Sequence, residues 1–145
     1  MKTTMIKNIS ARSFVWIIAA FNMSLASCTN GSAQGYKTYS VSQADSLIAH
    51  DSNVFVLDVR TPEEYNSETG HIKDSKLIPV QELESRLAEF APQKNKTIVV
   101  YCRSGSRSAR ASKILSKSGY NVINIDGGIN AWVGAGLTTR KGASK

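Results

Sequence analysis

Cysteine is scarce in this chain, and acidic residues are absent from its first 44 positions. The sequence has 145 residues and two cysteines, Cys28 and Cys102. Two cysteines cannot build a disulfide framework, so each thiol needs its own explanation. Asp45 is the first acidic residue, and the net charge of the whole chain is +7. The length suffices for one small domain with a single core.

A concentrated basic stripe with interleaved aromatic residues is also missing, which argues against a nucleic-acid-binding protein. The nearest approach is a set of cations in one predicted loop and helix: Arg103, Arg107, Arg110, Lys113 and Lys117. For the last three, a solvated helix face explains the pattern as well as attraction of an anion does. The modest positive charge favours a small anionic substrate. Two histidines and one available thiol have no metal-ligand spacing, so no metal site is expected.

No apolar run is long enough to cross a bilayer comfortably, yet the amino terminus has the pattern of a secretory signal. Three cations, Lys2, Lys7 and Arg12, precede the apolar residues 14–21. The segment ends in Leu25-Ala26-Ser27-Cys28. This tetrapeptide resembles a bacterial lipobox, in which an aliphatic residue and two small residues precede the cysteine that receives diacylglycerol.

The resemblance to bacterial lipoproteins implies a signal peptide over residues 1–27 and a mature protein that begins at acylated Cys28. Such a protein is anchored by lipid in the bacterial cell envelope and faces the periplasm or the outside. Ordinary signal cleavage after Ala33, with Cys28 discarded, is the alternative. Composition then predicts a flexible tether over 28–38, a folded domain over 39–140 and a tail over 141–145.

Strands and helices alternate along the rest of the chain. Compact runs rich in β-branched residues predict buried strands at 54–59, 97–101 and 121–125, and Pro79 limits residues 77–80 to a short edge strand. Helical periodicity predicts one helix capped by Ser42, with Asp45 in its first turn, and others at 81–90, 106–118 and 129–135. Gly119 marks a helix end. The pattern predicts an α/β fold, with a small, mostly parallel central sheet flanked by helices on both faces.

Cys102 follows the predicted strand 97–101 directly and precedes a helix, which is where sites form in open α/β sheets. The loop 102–108 is polar, contains a glycine and carries Arg103 and Arg107. Its amides, the helix amino terminus and the two guanidinium groups should lower the pKa of the thiol and attract a small oxyanion. A buried, inert cysteine is the alternative, but such a residue normally has apolar sequence neighbours.

The spacing from the cysteine to the following arginine separates two enzyme families. In protein tyrosine phosphatases five residues stand between them, and that position is Ser108 here. Arg107 comes one residue earlier, so the loop Cys102 to Arg107 resembles that of rhodaneses. The resemblance covers residues 39–138 through further ordered motifs: Leu57-Asp58-Val59-Arg60 with Pro62-Glu63-Glu64-Tyr65, Gly70-His71-Ile72, and Asp126-Gly127-Gly128-Ile129-Asn130-Ala131-Trp132.

A rhodanese-like fold implies a sulfurtransferase in which Cys102 carries a sulfane sulfur as a persulfide. The resemblance implies that the loop binds the substrate, through Arg103, Ser104, Gly105, Ser106, Arg107 and Ser108. It implies that Asp58 and Arg60 orient this loop, that His71 is structural, and that no cofactor is needed. Glu64 departs from some thiosulfate-using rhodaneses, which carry an arginine at that position.

The implied partners are a small anionic sulfur donor, such as thiosulfate, and an acceptor that is cyanide, a small thiol or a protein thiol. A membrane is the third partner, through the lipid anchor. Two other classes stay open: a non-catalytic rhodanese-like module that binds a protein partner, and an enzyme of the phosphatase or arsenate-reductase type.

Overall fold

The computed structural model describes residues 35–142, which form one α/β unit. The predicted signal peptide, most of the predicted tether and Cys28 lie outside these residues, as does the end of the predicted tail. Within the described part of the chain, no helix has the length and apolarity that crossing a membrane requires. The elements follow in the order β1 Lys37–Tyr39, α1 Val41–His50, β2 Val54–Asp58, α2 Pro62–Tyr65, β3 Lys76–Leu77, a 3-10 helix Leu87–Gln93, β4 Thr97–Tyr101, α3 Ser106–Lys117, β5 Asn121–Ile125 and α4 Gly128–Gly134.

The five strands described form a single sheet in the order β1-β5-β4-β2-β3, with every neighbouring pair parallel. Parallel strands are usually covered on both faces, and alternate side chains of each strand point to opposite sides. Val56, Val99 and Ile123 accordingly pack with α1 and α4 on one face. Leu57 and Val100 pack with α3 and the 3-10 helix on the other. The predicted sheet with helices on both faces is therefore confirmed.

The three long strands lie where their apolar runs predicted them, with β2 one residue shorter than expected. Strand β3 is short and pairs only with β2 at the sheet edge, as Pro79 indicated. Gly119 ends α3 as expected, at a φ of +79°. The amides of Gly119 and Tyr120 donate to the carbonyls of Ser116 and Leu115, which is a Schellman motif.

Some boundaries differ from the sequence expectations. Helix α1 is capped by Ser40, not by Ser42, because the Ser40 hydroxyl accepts from Gln43 N while Gln43 Oε1 accepts from Ser40 N. Asp45 consequently lies beyond the first turn. Strand β1 begins at Lys37, two residues before the predicted start of the domain, because pairing with β5 orders it. Such pairing leaves no local signal in a three-residue strand.

The predicted helix over residues 81–90 is wrong. Turns occupy residues 80–86, and the 3-10 helix follows them. The amides of Glu82 and Glu89 donate three residues back, and that of Arg86 is shared between Leu83 O and Glu82 O, so no continuous α-helical ladder forms. Pro92 has no N–H with which to continue an α-helix. Leu83 and Phe90 are nevertheless buried, Leu83 in the turns and Phe90 in the 3-10 helix.

Candidate active site

Cys102 lies at the carboxyl edge of the sheet, between the end of β4 and the start of α3. Its side chain is buried, with 1% of its surface exposed. The sulfur accepts a hydrogen bond from the backbone N–H of Gly105 at 3.1 Å. Gly105 adopts a φ of +100° as the cap of α3, which turns the loop tightly around the sulfur.

Hydrogen bonds decide the ionisation of the Cys102 thiol. Burial raises its pKa, but the Ser108 hydroxyl and the amides of Ser108, Gly105 and Ser104 lower it by more, so the net shift is downward. Ser108 Oγ donates to Gly105 O at 3.0 Å, and its single proton can turn to the sulfur when the thiolate forms. Neutral dipoles thus stabilise the sulfur anion.

Helix α4 donates two backbone hydrogen bonds to carbonyls of the cysteine loop. The amide of Ile129 donates to Cys102 O at 2.8 Å, and that of Asn130 donates to Arg103 O at 3.1 Å. In a trans peptide the C=O and the following N–H point in opposite directions. Carbonyls held towards α4 therefore turn the amides of Arg103 and Ser104 away from α4, and the Ser104 amide is one of those that stabilise the sulfur.

Gly128 permits this close approach. Its φ is +60°, and a Cβ there would lie 2.4 Å from Cys102 O. The sequence indicated that Gly127 and Gly128 form a tight turn into the last helix, and it missed their contact with the cysteine loop. The paired glycines at a helix start after β5 were the available signal, because β4 and β5 end at the same edge of a parallel sheet.

Arg107 makes a contact that the sequence did not predict. Its expected role in stabilising the thiolate and binding an anion stays a prediction, and its guanidinium forms a bidentate ion pair with Glu64 of α2. The Nη1–Oε2 and Nη2–Oε1 distances are 2.6 and 2.7 Å. The hydrogen bonds from Arg107 hold the pKa of Glu64 at about 2. Sequence reasoning noted Glu64 only as a departure and missed this pairing, because 43 residues separate the two.

The remaining residues of the loop differ in their exposure to solvent. Arg103, Ser104 and Ser106 are exposed, so their side chains are available to a substrate or to solvent. Ser108 is buried with Cys102. Their predicted role in substrate binding stays a prediction, since no substrate is present.

Asp58, the last residue of β2, forms a buried ion pair with Arg60, and the two residues have 0% and 2% exposure. Arg60 Nη2 lies 2.7 Å from Asp58 Oδ2 and also donates to Gly70 O at 2.8 Å. Within residues 35–142, no hydrogen bond joins either side chain to the cysteine loop. The pair therefore holds the Gly70 segment instead of orienting that loop by hydrogen bonds, because Nε and Nη2 of Arg60 are bonded to Asp58 and to Gly70 O.

His71 packs as a structural residue. Its ring stacks on Tyr65 with 3.8 Å between the ring centroids. Its backbone exchanges two hydrogen bonds of 2.8 Å with Arg140, which ties the carboxy-terminal segment to the domain. This arrangement agrees with the structural role inferred from the sequence.

The fold and the loop define a class of protein: an α/β domain that presents a buried cysteine, lined by amides, at the carboxyl edge of a parallel sheet. The family model for the rhodanese-like domain matches residues 40–135. The chain therefore belongs to the rhodanese-like domain family, as its motifs predicted.

Known proteins similar to this chain differ in the chemistry that their names describe. The thiosulfate sulfurtransferase PspE of Escherichia coli is 41% identical over 73 residues, which cover 50% of this chain and 68% of that protein. A rhodanese-related protein of Thermoplasma volcanium has a TM-score of 0.64 at 32% identity, covering 71% of this chain and 96% of that structure. A Rhodopseudomonas palustris protein described as a possible tyrosine phosphatase has a TM-score of 0.66 at 31% identity, over 72% and 85%. These likenesses confirm the α/β fold.

The close approach of α4 to the loop can be tested with a matched pair of glycine variants. Gly128→Ala should lower the free energy of unfolding by about 2–5 kcal/mol and slow the alkylation of Cys102, because the new methyl group displaces the Cys102 carbonyl. Gly136→Ala is the control, since Gly136 has a φ of +75° but open space around it. It should cost about 1–2 kcal/mol and leave the alkylation rate unchanged. Equal effects of the two variants would contradict the role given to α4.

The stabilisation of the thiolate predicts a pH dependence. The rate of Cys102 alkylation by iodoacetamide should rise with pH to a plateau, with a midpoint below that of an unperturbed cysteine, because the pKa is lowered. Ser108→Ala removes a hydrogen bond to the sulfur anion and should move the midpoint upward. Ser106→Ala, which removes an exposed hydroxyl of the same loop, should not. Identical profiles for the three proteins would exclude a contribution from Ser108.

Proposed function

We propose that the protein is a sulfurtransferase and that Cys102 carries the transferred sulfur as a persulfide. One observation carries the proposal: a buried sulfur in a loop whose amides and Ser108 lower its pKa. An anion-stabilising site of this kind suits a group that is negatively charged both as thiolate and as persulfide. The relationship to the thiosulfate sulfurtransferase of Escherichia coli supports the choice.

The proposed reaction has two balanced steps. The Cys102 thiolate attacks the outer sulfur of thiosulfate, the S–S bond of the donor breaks, and sulfite leaves with the bonding electron pair. Cys102 then carries a persulfide anion within reach of the loop amides. An acceptor such as cyanide attacks the outer sulfur, takes it as thiocyanate and restores the thiolate. A thiol acceptor takes the same sulfur as a new persulfide.

A second candidate is a phosphatase-type reaction, which the likeness to the possible tyrosine phosphatase favours. Phosphoryl transfer needs a guanidinium that closes over the bound phosphate. Both Nη atoms of Arg107 are hydrogen-bonded to Glu64, and the next residue, Ser108, carries no charge. The shorter loop and the paired arginine therefore favour sulfur transfer. A non-catalytic partner-binding module would have no use for the lowered pKa of Cys102.

Intact-mass measurement tests the proposal directly. Incubation with thiosulfate should add one sulfur atom, mapped to Cys102, and subsequent cyanide should release thiocyanate and restore the original mass. Cys102→Ser should do neither, because it lacks the nucleophile. The circular dichroism of the two proteins should match, which shows that the variant is folded.

An aryl phosphate, supplied to the same preparations, distinguishes the rival enzyme. Phosphatase turnover without sulfur loading would replace the proposal by the second candidate. If the folded protein has neither activity, the non-catalytic partner-binding module becomes the favoured interpretation.

We also propose that the chain is a lipoprotein of the bacterial cell envelope. This rests on the lipobox-like segment Leu25-Ala26-Ser27-Cys28 and on the cations and apolar run before it. Metabolic labelling with a fatty acid should mark the wild-type protein in a bacterial host. Cys28→Ala should abolish the label, and Ser27→Ala, which keeps a small residue beside the cysteine, should retain it. Labelling that persists in Cys28→Ala would contradict the proposed acylation of Cys28.

A further inference from the structure

The ion pair between Glu64 and Arg107 joins the starts of two helices at the solvent-facing side of the cysteine loop, which we call its entrance. Glu64 lies in α2, and Arg107 is the second residue of α3. Both side chains are partly exposed, at 27% and 30%, so the pair borders solvent. It is the bidentate arrangement of two parallel N–H···O bonds, which favours a single fixed geometry over a loose contact.

The carboxylate of Glu64 is held from its other side as well. Its Oε2 accepts from the backbone N–H of Thr61 at 3.1 Å, and the Thr61 hydroxyl accepts from Glu64 N at 3.3 Å. This is a capping box, and it fixes the side chain as part of the start of α2. With its pKa at about 2, Glu64 stays ionised at any pH near neutrality. The negative charge is therefore a permanent feature of the entrance.

The guanidinium of Arg107 lies in the electrostatic field of the active sulfur. The hydrogen bonds that it donates to Glu64 raise its pKa most, and the charge of Cys102 raises it further. Arg107 is thus placed to attract an anionic donor towards Cys102. Glu64 cancels that attraction to a large extent, because the paired charges of opposite sign act on an approaching anion together.

The energy of an ion in such a field is proportional to its charge. Cancelling the field of Arg107 therefore removes twice as much attraction from a dianion as from a monoanion. Thiosulfate is a dianion, whereas organic persulfides and thiosulfonates present a sulfane sulfur with a single negative charge on the reacting group. A neutralised entrance favours the second group relative to the first.

We propose that Glu64 is a specificity-determining residue that acts through Arg107, so that the site discriminates against dianionic sulfur donors in favour of donors of lower charge. The inference rests on the proposed sulfur transfer at Cys102. It narrows the physiological donor to the class of organic persulfides and related monoanions. Glu64 is a positioning residue, since it reaches the reacting atoms only through Arg107.

Two donors of similar shape test the charge dependence: thiosulfate and methanethiosulfonate, in which a methyl group replaces one oxygen. Glu64→Gln keeps a side chain able to complete the capping box and removes the charge. At low ionic strength, kcat/KM should rise about tenfold for thiosulfate and about threefold for methanethiosulfonate. The logarithm of the gain is then twice as large for the dianion as for the monoanion, in proportion to their charges. Glu63→Gln is the matched control, because Glu63 is the exposed neighbour in the same helix. It should change neither value by more than about twofold, because Glu63 does not pair with Arg107 and its charge acts through water of high dielectric constant.

A second measurement reports the field at the sulfur without any sulfur transfer. Iodoacetate is anionic and iodoacetamide is neutral, and each alkylates the Cys102 thiolate with loss of iodide. The rates are read from modification of the peptide that contains Cys102. Glu64→Gln should raise the rate with iodoacetate, relative to the rate with iodoacetamide, about threefold, and Glu63→Gln should leave this ratio unchanged.

Equal gains for both donors, or an unchanged alkylation ratio in Glu64→Gln, would overturn the inference and leave sulfur transfer intact. Failure of wild-type protein to accept sulfur from either donor would overturn the proposed function, and the donor inference with it. A raised alkylation ratio would still then establish that Glu64 lowers the positive field at Cys102. A thiosulfate gain that disappears at high salt supports the electrostatic origin.

Discussion

The active loop depends on one constraint: two of its carbonyls must face α4. The amides of Ile129 and Asn130 donate to Cys102 O and Arg103 O and hold these two carbonyls towards α4. Because each peptide is planar and trans, the Ser104 amide that follows is turned inward. The thiolate is thus stabilised by backbone groups whose direction is set by a different helix. The parallel pairing of β4 with β5 is what brings that helix to the loop.

The negative charge on Cys102 and the charges at the entrance are stabilised in different ways. At the sulfur, burial opposes ionisation, and amide and hydroxyl dipoles outweigh burial. At the entrance, the full charges of Arg107 and Glu64 are paired with each other. A site arranged in this way can hold an anion on Cys102 while exerting only a weak net pull on anions in solvent. This separation underlies both the proposed persulfide chemistry and the proposed preference for donors of lower charge.

The supporting residues keep the neighbouring strand end in place without touching the loop. Asp58 and Arg60 are satisfied by each other and by Gly70 O. A buried pair of this kind is expensive to break, because the remaining charge would be stranded away from water. The residues therefore act on the site at a distance: Arg60 contributes to the lowered pKa of Glu64, and Asp58 to the raised pKa of Arg107.

The sequence by itself determined the buried strands, the position of Cys102 after β4 and the polar loop around it. Those features depend on local hydrophobic runs and on neighbouring residues, which are visible in one dimension. Only the tertiary structure decided the pairing of Arg107 with Glu64, the approach of Gly128 to Cys102 O and the pairing of β1 with β5. It also decided that residues 81–90 form turns and the start of a 3-10 helix instead of an α-helix. These contacts join segments far apart in the chain or depend on hydrogen-bond geometry, and neither leaves a periodic pattern in the sequence.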